Sequence, residues 1–152
     1  RPMKAVLQRA LTATVEVDGE VVGAIDRPGL VALVGVFRDD SEDDARKLAR
    51  RIATMRILED EESLESLAAP ALVISQFTLA GRTRKGTRPS WSDAAPGEVA
   101  EPLVDLVVAE LRALGIQTAT GRFGAMMNVS LVNNGPFTVI VDTRQTRAST
   151  RS

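Results

Sequence analysis

The sequence predicts one domain of the α+β class, with mixed α/β character, in which two helices cover a largely antiparallel sheet. Strand patterns outnumber helix patterns, and the two kinds of segment do not alternate regularly along the chain. The 152 residues, of which 44% are apolar, suffice for one hydrophobic core. The predicted domain spans residues 3–142, and the polar stretch 143–152 is expected to be disordered. Since a small domain must cover the edges of its sheet, we also expect a homodimer.

The first half of the chain contains five strand patterns and one helix pattern. β-Branched and apolar residues predict strands at 3–10, 14–17, 20–25, 30–37 and 56–58. Ser41 and Asp44 have the spacing of a capping box, and apolar residues recur at helical intervals over 45–55. The acidic stretch 59–65 is expected to be a solvated loop rather than a metal site, because runs of charge usually face water.

A second helix and four more strands are predicted in the second half. Apolar residues at helical spacing place the helix at 98–114, and Gly115 ends it. The strands are expected at 71–79, 116–120, 127–132 and 137–141. Residues 80–97 have little periodicity, and so long a connection in a small domain usually has a function. The sequence therefore predicts a binding loop or lid there.

The composition excludes several kinds of catalytic site. The chain has no cysteine and no histidine, so disulfides, thiol nucleophiles, Cys/His zinc sites and Ser-His-Asp arrangements are excluded. Any chemistry must use carboxylates, hydroxyls, Lys or Arg side chains, backbone dipoles or the substrate itself, and we expect no metal and no organic cofactor. The net charge of -1 argues against a general nucleic-acid coat protein but leaves room for a local basic patch.

Two features bear on localisation. The longest apolar run, residues 30–37, is far too short to span a membrane. The start of the chain has no apolar segment behind a basic leader. We therefore expect a cytoplasmic protein that does not contact a membrane.

Two motifs stand apart from ordinary strand and turn composition. They are Ser75-Gln76-Phe77-Thr78-Leu79 and Asn133-Asn134-Gly135-Pro136-Phe137-Thr138. Together with three further motifs, they resemble the bacterial and eukaryotic type of D-aminoacyl-tRNA deacylase, in nearly the same order and spacing. The further motifs are Met3-Lys4-Ala5-Val6-Leu7-Gln8-Arg9, Arg88-Pro89-Ser90-Trp91 and Gly121-Arg122-Phe123-Gly124-Ala125. The resemblance implies a homodimer that hydrolyses the ester of D-amino acids, and of glycine, mischarged on tRNA.

The resemblance also implies how such an enzyme reads chirality. The peptide bond of Gly135-Pro136 would be cis, and this pair would enter the pocket of the partner subunit, where Arg9 helps to hold it and Phe137 belongs to the same substrate site. A cis bond before proline costs only ~0.5–1 kcal/mol and lets both carbonyls point the same way, toward one ammonium group. A D side chain then projects outward, an L side chain meets the backbone, and glycine passes. Taken alone, the hexapeptide is more typical of a hairpin turn with Asn-Gly chemistry and a trans proline, and it is the partner motif that reverses this preference.

The first of the two motifs is implied to line the ester site. By the resemblance, Ser75, Gln76 and Phe77 lie there, and Met127 lines the same pocket. An acidic residue usually precedes that methionine in the family, whereas this chain has Met126. We therefore expect the local hydrogen bonding beside Met127 to differ from that of the family.

Without histidine, catalysis needs another proton acceptor. An aminoacyl ester carries one in the vicinal 2′-hydroxyl of the terminal adenosine, so the substrate can assist its own hydrolysis. The protein would then supply positioning and an oxyanion hole of main-chain N–H groups around Gln76 and Phe77. The competing hypothesis makes Thr138 or Thr78 a nucleophile, although the sequence names no neighbouring base for either.

The long loop carries the candidate RNA contacts. Four cations, Arg82, Arg84, Lys85 and Arg88, follow the proposed ester motif and would bind phosphates near the acceptor end of an aminoacyl-tRNA. The alternative is a solvated loop without a ligand. Trp91 would either stack on a base or anchor the loop on the core.

Two functions therefore follow from the sequence. The first is hydrolysis of D-aminoacyl-tRNA, or of a related mischarged substrate such as glycine on an alanine tRNA. The second is a non-catalytic dimeric module that binds a small ligand or a free amino acid in the same cleft. Deacylation assays with D-Tyr-tRNA and L-Tyr-tRNA distinguish the two.

Overall fold

A computed structural model describes residues 3–143, within which six strands and three α-helices are formed. The strands are β1 Lys4–Val17, β2 Glu20–Ile25, β3 Gly29–Gly35, β4 Ala71–Ser75, β5 Thr118–Thr120 and β6 Asn128–Asp142. The helices are α1 Glu42–Thr54, α2 Leu64–Leu67 and α3 Gly97–Ala113. Two 3-10 helices lie at Glu59–Glu61 and Phe77–Ala80. Residues 1–2 and 144–152, which include most of the predicted disordered tail, are outside the described residues.

The long strand β1 organises the sheet. Along one edge it pairs antiparallel with β3 and then with β2, and β6 runs antiparallel along its other edge. Strands β3, β4 and β5 are parallel to one another in that order. A Cβ on Gly23 of β2 would lie 2.0 Å from the Thr120 carbonyl oxygen of β5, so only glycine permits this approach. The sheet therefore curls toward a barrel-like shape.

Two apolar clusters lie on opposite faces of this curled sheet. Helices α1 and α3 cover one face, where side chains such as Leu48, Ile52 and Leu111 are fully buried. The other cluster lies on the remaining face and includes Val15 and Ile74. Burial of each such aliphatic side chain contributes about 1.5–3 kcal/mol. Helices α1 and α3 thus pack on one face of β3 and β4. Strand β4 leads directly into the motif of residues 75–79.

The fold class and the main helices are confirmed. The sheet is mixed, and helix α1 begins with the predicted capping box, in which the Ser41 hydroxyl accepts the Asp44 N–H and the Asp44 carboxylate accepts the Ser41 N–H. Helix α3 lies within one residue of its predicted bounds. The sheet is antiparallel around β1 but parallel at β4 and β5, so it is less uniformly antiparallel than expected. The short helix α2 was not predicted.

Four predicted strands form two. The segments 3–10 and 14–17 belong to β1, and 127–132 and 137–141 belong to β6. Between Gln8 and Ala13 the register of the β1–β6 pairing shifts twice. At these shifts the alternation of inward and outward side chains is interrupted, although the pairing of β1 with β6 continues. The strand pattern in the sequence therefore stops at positions where the strands themselves continue.

Three local predictions were wrong, one of them only in part. Residues 56–58 are not a strand, because the Leu58 N–H donates to the Glu62 carbonyl in a local turn. The predicted strand 71–79 ends at Ser75, after which the chain turns into the 3-10 helix Phe77–Ala80. The acidic stretch is an exposed turn at Glu59–Glu61, where Asp60 and Glu61 have positive φ, as expected for a solvated loop, but it is not loop throughout because α2 begins at Leu64.

Asp40 is a buried carboxylate just after β3. The Phe37 N–H donates to its Oδ2 at 2.7 Å, and within residues 3–143 its other oxygen has no hydrogen-bond partner. Burial raises the pKa of Asp40 from 3.8 to about 6, although the bond from Phe37 acts in the opposite direction. As the pH rises, the unfolded chain releases this proton before the folded chain does. Ionisation of Asp40 therefore favours unfolding, and its contribution to stability falls between about pH 4 and about pH 6.

Asp40→Asn should remove this pH dependence, since asparagine keeps an acceptor for Phe37 without a charge. Relative to the parent, the variant should gain about 1–3 kcal/mol in free energy of unfolding between about pH 4.5 and about pH 7.5, measured by urea denaturation. Asp26→Asn, at an exposed turn position, controls for net charge. An identical pH dependence in the parent and Asp40→Asn would contradict the assignment.

Candidate active site

A cavity of about 440 Å³ opens where β4 ends. It brings together four residues that the sequence singled out, Ser75, Gln76, Phe77 and Met127. The remaining wall comes mostly from the start of α3 and from the segment that leads into β6. None of the described residues that line this cavity has an ionisable side chain. The described wall thus offers backbone, hydroxyl and amide groups, but no side-chain acid or base, for chemistry in this cavity.

Two backbone N–H groups just after β4 are unpaired in the described chain. The Gln76 N–H donates to the Val34 carbonyl at 2.7 Å, so it belongs to the sheet. In the described chain the next two N–H groups, of Phe77 and Thr78, have no acceptor, as is usual at the start of a helix. Of the two N–H groups that the sequence suggested as oxyanion-hole donors, that of Gln76 belongs to the sheet and that of Phe77 is unpaired, and the unpaired N–H of Thr78 is a further candidate.

Side-chain contacts hold this turn in place. The Gln76 amide donates to the Thr78 hydroxyl at 2.8 Å. Phe77 and Trp91 contact edge to face, with ring centroids 5.7 Å apart. A Cβ on Gly81 would lie 2.6 Å from the Trp91 ring, so the indole lies directly on the chain after the turn. Trp91 therefore packs the long loop against the turn after β4, in agreement with the anchoring role, which was one of the two roles predicted for it.

The second motif forms a bulge and does not line this cavity within one chain. Gln8 lies opposite Thr138 and Ala10 opposite Asn133, so Arg9 of β1 faces the four residues 134–137 of β6. The peptide bond between Gly135 and Pro136 is cis, as the resemblance implied and unlike the hairpin-turn alternative. The motif residues therefore form two separate clusters.

Arg9 holds this bulge. Its Nε donates to the Asn134 carbonyl and its Nη2 to the Gly135 carbonyl, both at 2.8 Å, and Nη1 reaches the Ile57 carbonyl at 3.4 Å. The guanidinium also lies 4.9 Å from the centre of the Phe137 ring. One side chain thus contacts Asn134, Gly135 and Phe137 of the motif.

Thr138 has a partner that is not a base. Its hydroxyl donates to the Gln8 side-chain oxygen, and the Gln8 amide donates to the Phe137 carbonyl at 3.3 Å. An amide oxygen does not remove a proton from a hydroxyl at neutral pH, so this contact does not activate a nucleophile. Gln8 was not singled out as a site residue, although its place in the motif of residues 3–9 was the available signal.

The long loop is more ordered than the sequence suggested. Arg82 and Ser90 exchange main-chain hydrogen bonds of 2.8 and 3.0 Å, and the Arg82 guanidinium donates to both oxygens of Asp93 at 2.6 and 2.9 Å. The Arg38 N–H and Nε bind the Asp93 and Ser92 carbonyls. The base of the loop is therefore tied to the end of β3.

Two other features were tested on the described residues. No group of three or more Asp or Glu side chains within 3–143 is arranged to hold a metal ion. No helix in that range is long and apolar enough to cross a membrane.

Two solved structures share this fold. One, described as a c-Myc DNA unwinding element binding protein, superposes with a TM-score of 0.84 at 34% identity, over 91% of this chain and 97% of that one. The other, described as a probable eukaryotic D-amino acid tRNA deacylase, has a TM-score of 0.81 at 15% identity, over 93% of this chain and 100% of that one. These two structures define the fold class of the chain.

Sequence comparisons identify the family. The family model described as D-Tyr-tRNA(Tyr) deacylase matches residues 6–142. Relatives named D-aminoacyl-tRNA deacylase are 64% identical in Streptomyces coelicolor and 62% identical in Thermobifida fusca, each over 140 residues, 92% of this chain and 99% of the relative. A third, from Corynebacterium glutamicum, is 57% identical over 143 residues. The chain belongs to the D-Tyr-tRNA(Tyr) deacylase family.

Proposed function

We propose that this protein hydrolyses the ester bond of D-aminoacyl-tRNA, and of glycine mischarged on tRNA, as a chirality-proofreading enzyme of the cytoplasm. The observation that carries the proposal is the cavity at the end of β4, which Ser75, Gln76 and Phe77 line and whose described wall has no ionisable side chain. Such a site suits an ester whose own ribose supplies the proton acceptor. The membership of the chain in the deacylase family supports the same substrate class.

The site residues act mainly through their backbone. The N–H groups of Phe77 and Thr78 would donate to the ester carbonyl oxygen and stabilise the oxyanion that forms when water adds. Ser75 and Gln76 position this turn, and Met127 lines the pocket on the other side. The 2′-hydroxyl relays a proton from the attacking water to the departing 3′-oxygen of the ribose. The tetrahedral intermediate then collapses to the free amino acid and tRNA.

Chirality would be read by a second copy of the chain. The bulge carrying Gly135 and Pro136 is exposed and lies outside the cavity of its own chain, so it is placed to reach another. The same strand exposes apolar side chains, including Val132 and Ile140, which are 50% and 61% exposed. A homodimer would cover them and bring the Gly135 and Pro136 carbonyls to the substrate ammonium. The L side chain is then excluded by backbone atoms.

The loop cations would contact the RNA. Arg82, Arg84, Lys85 and Arg88 line one cavity next to the ester site, which suits the phosphates of the acceptor end. The Arg82 side chain also lines this cavity, but its charge is paired with the Asp93 carboxylate. We assign the sequence-independent part of tRNA binding to this loop.

The direct experiment compares D-Tyr-tRNA with L-Tyr-tRNA. We expect rapid loss of the D ester, slow loss of the L ester, and loss of glycine from a mischarged tRNA. Sedimentation equilibrium should give twice the mass of one chain. Loss of neither ester would overturn the enzyme and leave the small-ligand module, and a monomer that still separates the two esters would overturn the role of the second chain.

A further inference from the structure

A second cavity, of about 800 Å³, lies next to the 3-10 helix Phe77–Ala80. Gln76 and Phe77 line the cavity at the end of β4, the proposed ester cavity, whereas Leu79 and Ala80 line the second cavity. The short helix therefore forms a ridge between the two cavities. Five cationic side chains line the second cavity: Lys4, Arg82, Arg84, Lys85 and Arg88. Two carboxylates, of Asp93 and Asp142, also line it. Its lining is therefore predominantly cationic.

The cations that line the cavity come from two different elements. Lys4 belongs to the start of β1, where its ammonium lies 5.7 Å from the centre of the Phe37 ring. Arg84, Lys85 and Arg88 belong to the tip of the long loop, and in residues 3–143 none of these three is paired with a carboxylate. The cavity lining thus combines a cation of β1 with exposed cations of the long loop, whereas a loop that is merely solvated needs no cation from a second element.

Arg82 has a different task from its neighbours. Its guanidinium is bound by both oxygens of Asp93, and its backbone pairs with Ser90. The Asp93 carbonyl in turn accepts the Arg38 N–H at 3.0 Å. Arg82 therefore holds the base of the loop against the core, and the three cations of the tip are the groups left to bind an anion.

The distance from the ester cavity indicates which anion. The ridge is four residues of 3-10 helix, about 8 Å at about 2 Å per residue. That length corresponds to about two nucleotides of one stacked strand at about 3.4 Å each. A chain whose terminal adenosine occupies the ester cavity would thus bring the phosphates just before it to the second cavity. Phe77, 55% exposed on the ridge, lies between them.

We propose that the second cavity binds the backbone phosphates of the unpaired nucleotides that precede the terminal adenosine. Lys4, Arg84, Lys85 and Arg88 are the binding residues, and Arg82 is a positioning residue. This inference rests on the proposed function for the place of the adenosine. It deepens that function, because it assigns affinity to the single-stranded end rather than to the acceptor duplex.

The test compares two hairpin RNAs that end in an unpaired CCA. In one all linkages are phosphates, and in the other the linkages of the unpaired end are neutral methylphosphonates. We expect the parent protein to bind the all-phosphate hairpin about 10- to 100-fold more tightly. The variant R84Q/K85Q/R88Q should bind the two alike, and its log affinity should depend on log salt with a slope smaller by about 2, at about 0.7 per phosphate. Lys4→Gln alone should lose part of the preference.

The matched control is R46Q/K47Q/R50Q, which removes three cations from α1, outside the cavity. It should keep the preference of the parent for phosphate. An equal preference in the loop variant and the parent, or no preference in the parent, would overturn the proposal.

Hydrolysis of D-tyrosyl-adenosine, which lacks phosphates, separates this inference from the proposed function. The loop variant should hydrolyse it at the rate of the parent, whereas an equal loss on this ester and on D-Tyr-tRNA would overturn the assignment to phosphate binding. If the parent fails to hydrolyse any D ester but still discriminates between the hairpins, the proposed function is wrong and the phosphate site stands.

Discussion

Arg9→Ala is expected to lower kcat/KM on D-Tyr-tRNA by about 100-fold or more, while the protein remains folded. The guanidinium fixes the Asn134 and Gly135 carbonyls with two bonds of 2.8 Å and supports the Phe137 ring. Without it, the bulge of β6 loses the group that orients its carbonyls, and a displacement of about 1 Å at a reacting group costs about that factor. The free energy of unfolding should fall by about 1–3 kcal/mol, because charged hydrogen bonds are lost.

Arg9→Lys sharpens this experiment. Lysine keeps the positive charge but is a single point donor, so it cannot bridge two carbonyls as the planar guanidinium does. We expect it to recover stability more fully than activity. Arg27 offers the control, since it also donates to a carbonyl, that of Ala68, and to Gln117, far along the chain from either motif. Arg27→Ala should leave kcat/KM within about threefold, and an equal loss in both variants would show that Arg9 acts through stability alone.

The sequence predicted the structure correctly where the signal for an element or a site depends only on neighbouring residues. The capping box of Ser41 and Asp44 predicted the start of α1, and apolar periodicity predicted α3 within one residue. The two motifs singled out the residues that the structure places in the ester cavity and in the bulge. In each case the signal lies within a few consecutive residues.

The remainder depends on contacts between distant segments. Which N–H groups are left for a ligand depends on the Gln76 N–H donating to Val34, a partner on β3 that the order of residues does not reveal. The distinct role of Arg82 depends on Asp93, eleven residues away, and Lys4 reaches the same cavity only because β1 runs beside the long loop. Strand breaks were predicted inside β1 and β6 because a register shift removes alternation without ending the ladder.

Removing the 2′-hydroxyl of the terminal adenosine should slow hydrolysis of a D-tyrosyl ester on the 3′-oxygen by about 10²–10⁴-fold. None of the described residues that line the cavity at the end of β4 has an ionisable side chain, so none of these side chains is an acceptor for the proton of the attacking water. General acid–base catalysis contributes a factor of that size, and here the substrate would supply it. The rate is measured under single-turnover conditions, with spontaneous hydrolysis of each ester subtracted.

The competing hypothesis of a threonine nucleophile predicts the opposite results for the deoxy ester and for the threonine variants. If Thr138 were the nucleophile, the deoxy ester would be hydrolysed at nearly the ordinary rate, and Thr138→Val would abolish turnover. We expect Thr138→Val to stay within about tenfold of the parent, since its hydroxyl donates to Gln8, which is not a base, and the deoxy ester to remain a competitive inhibitor of ordinary affinity. Thr78→Val should also retain most activity, because the N–H rather than the hydroxyl of residue 78 is the proposed donor. A slow deoxy ester together with active threonine variants would assign the proton transfer to the ribose, whereas a fast deoxy ester would place the missing base on the protein.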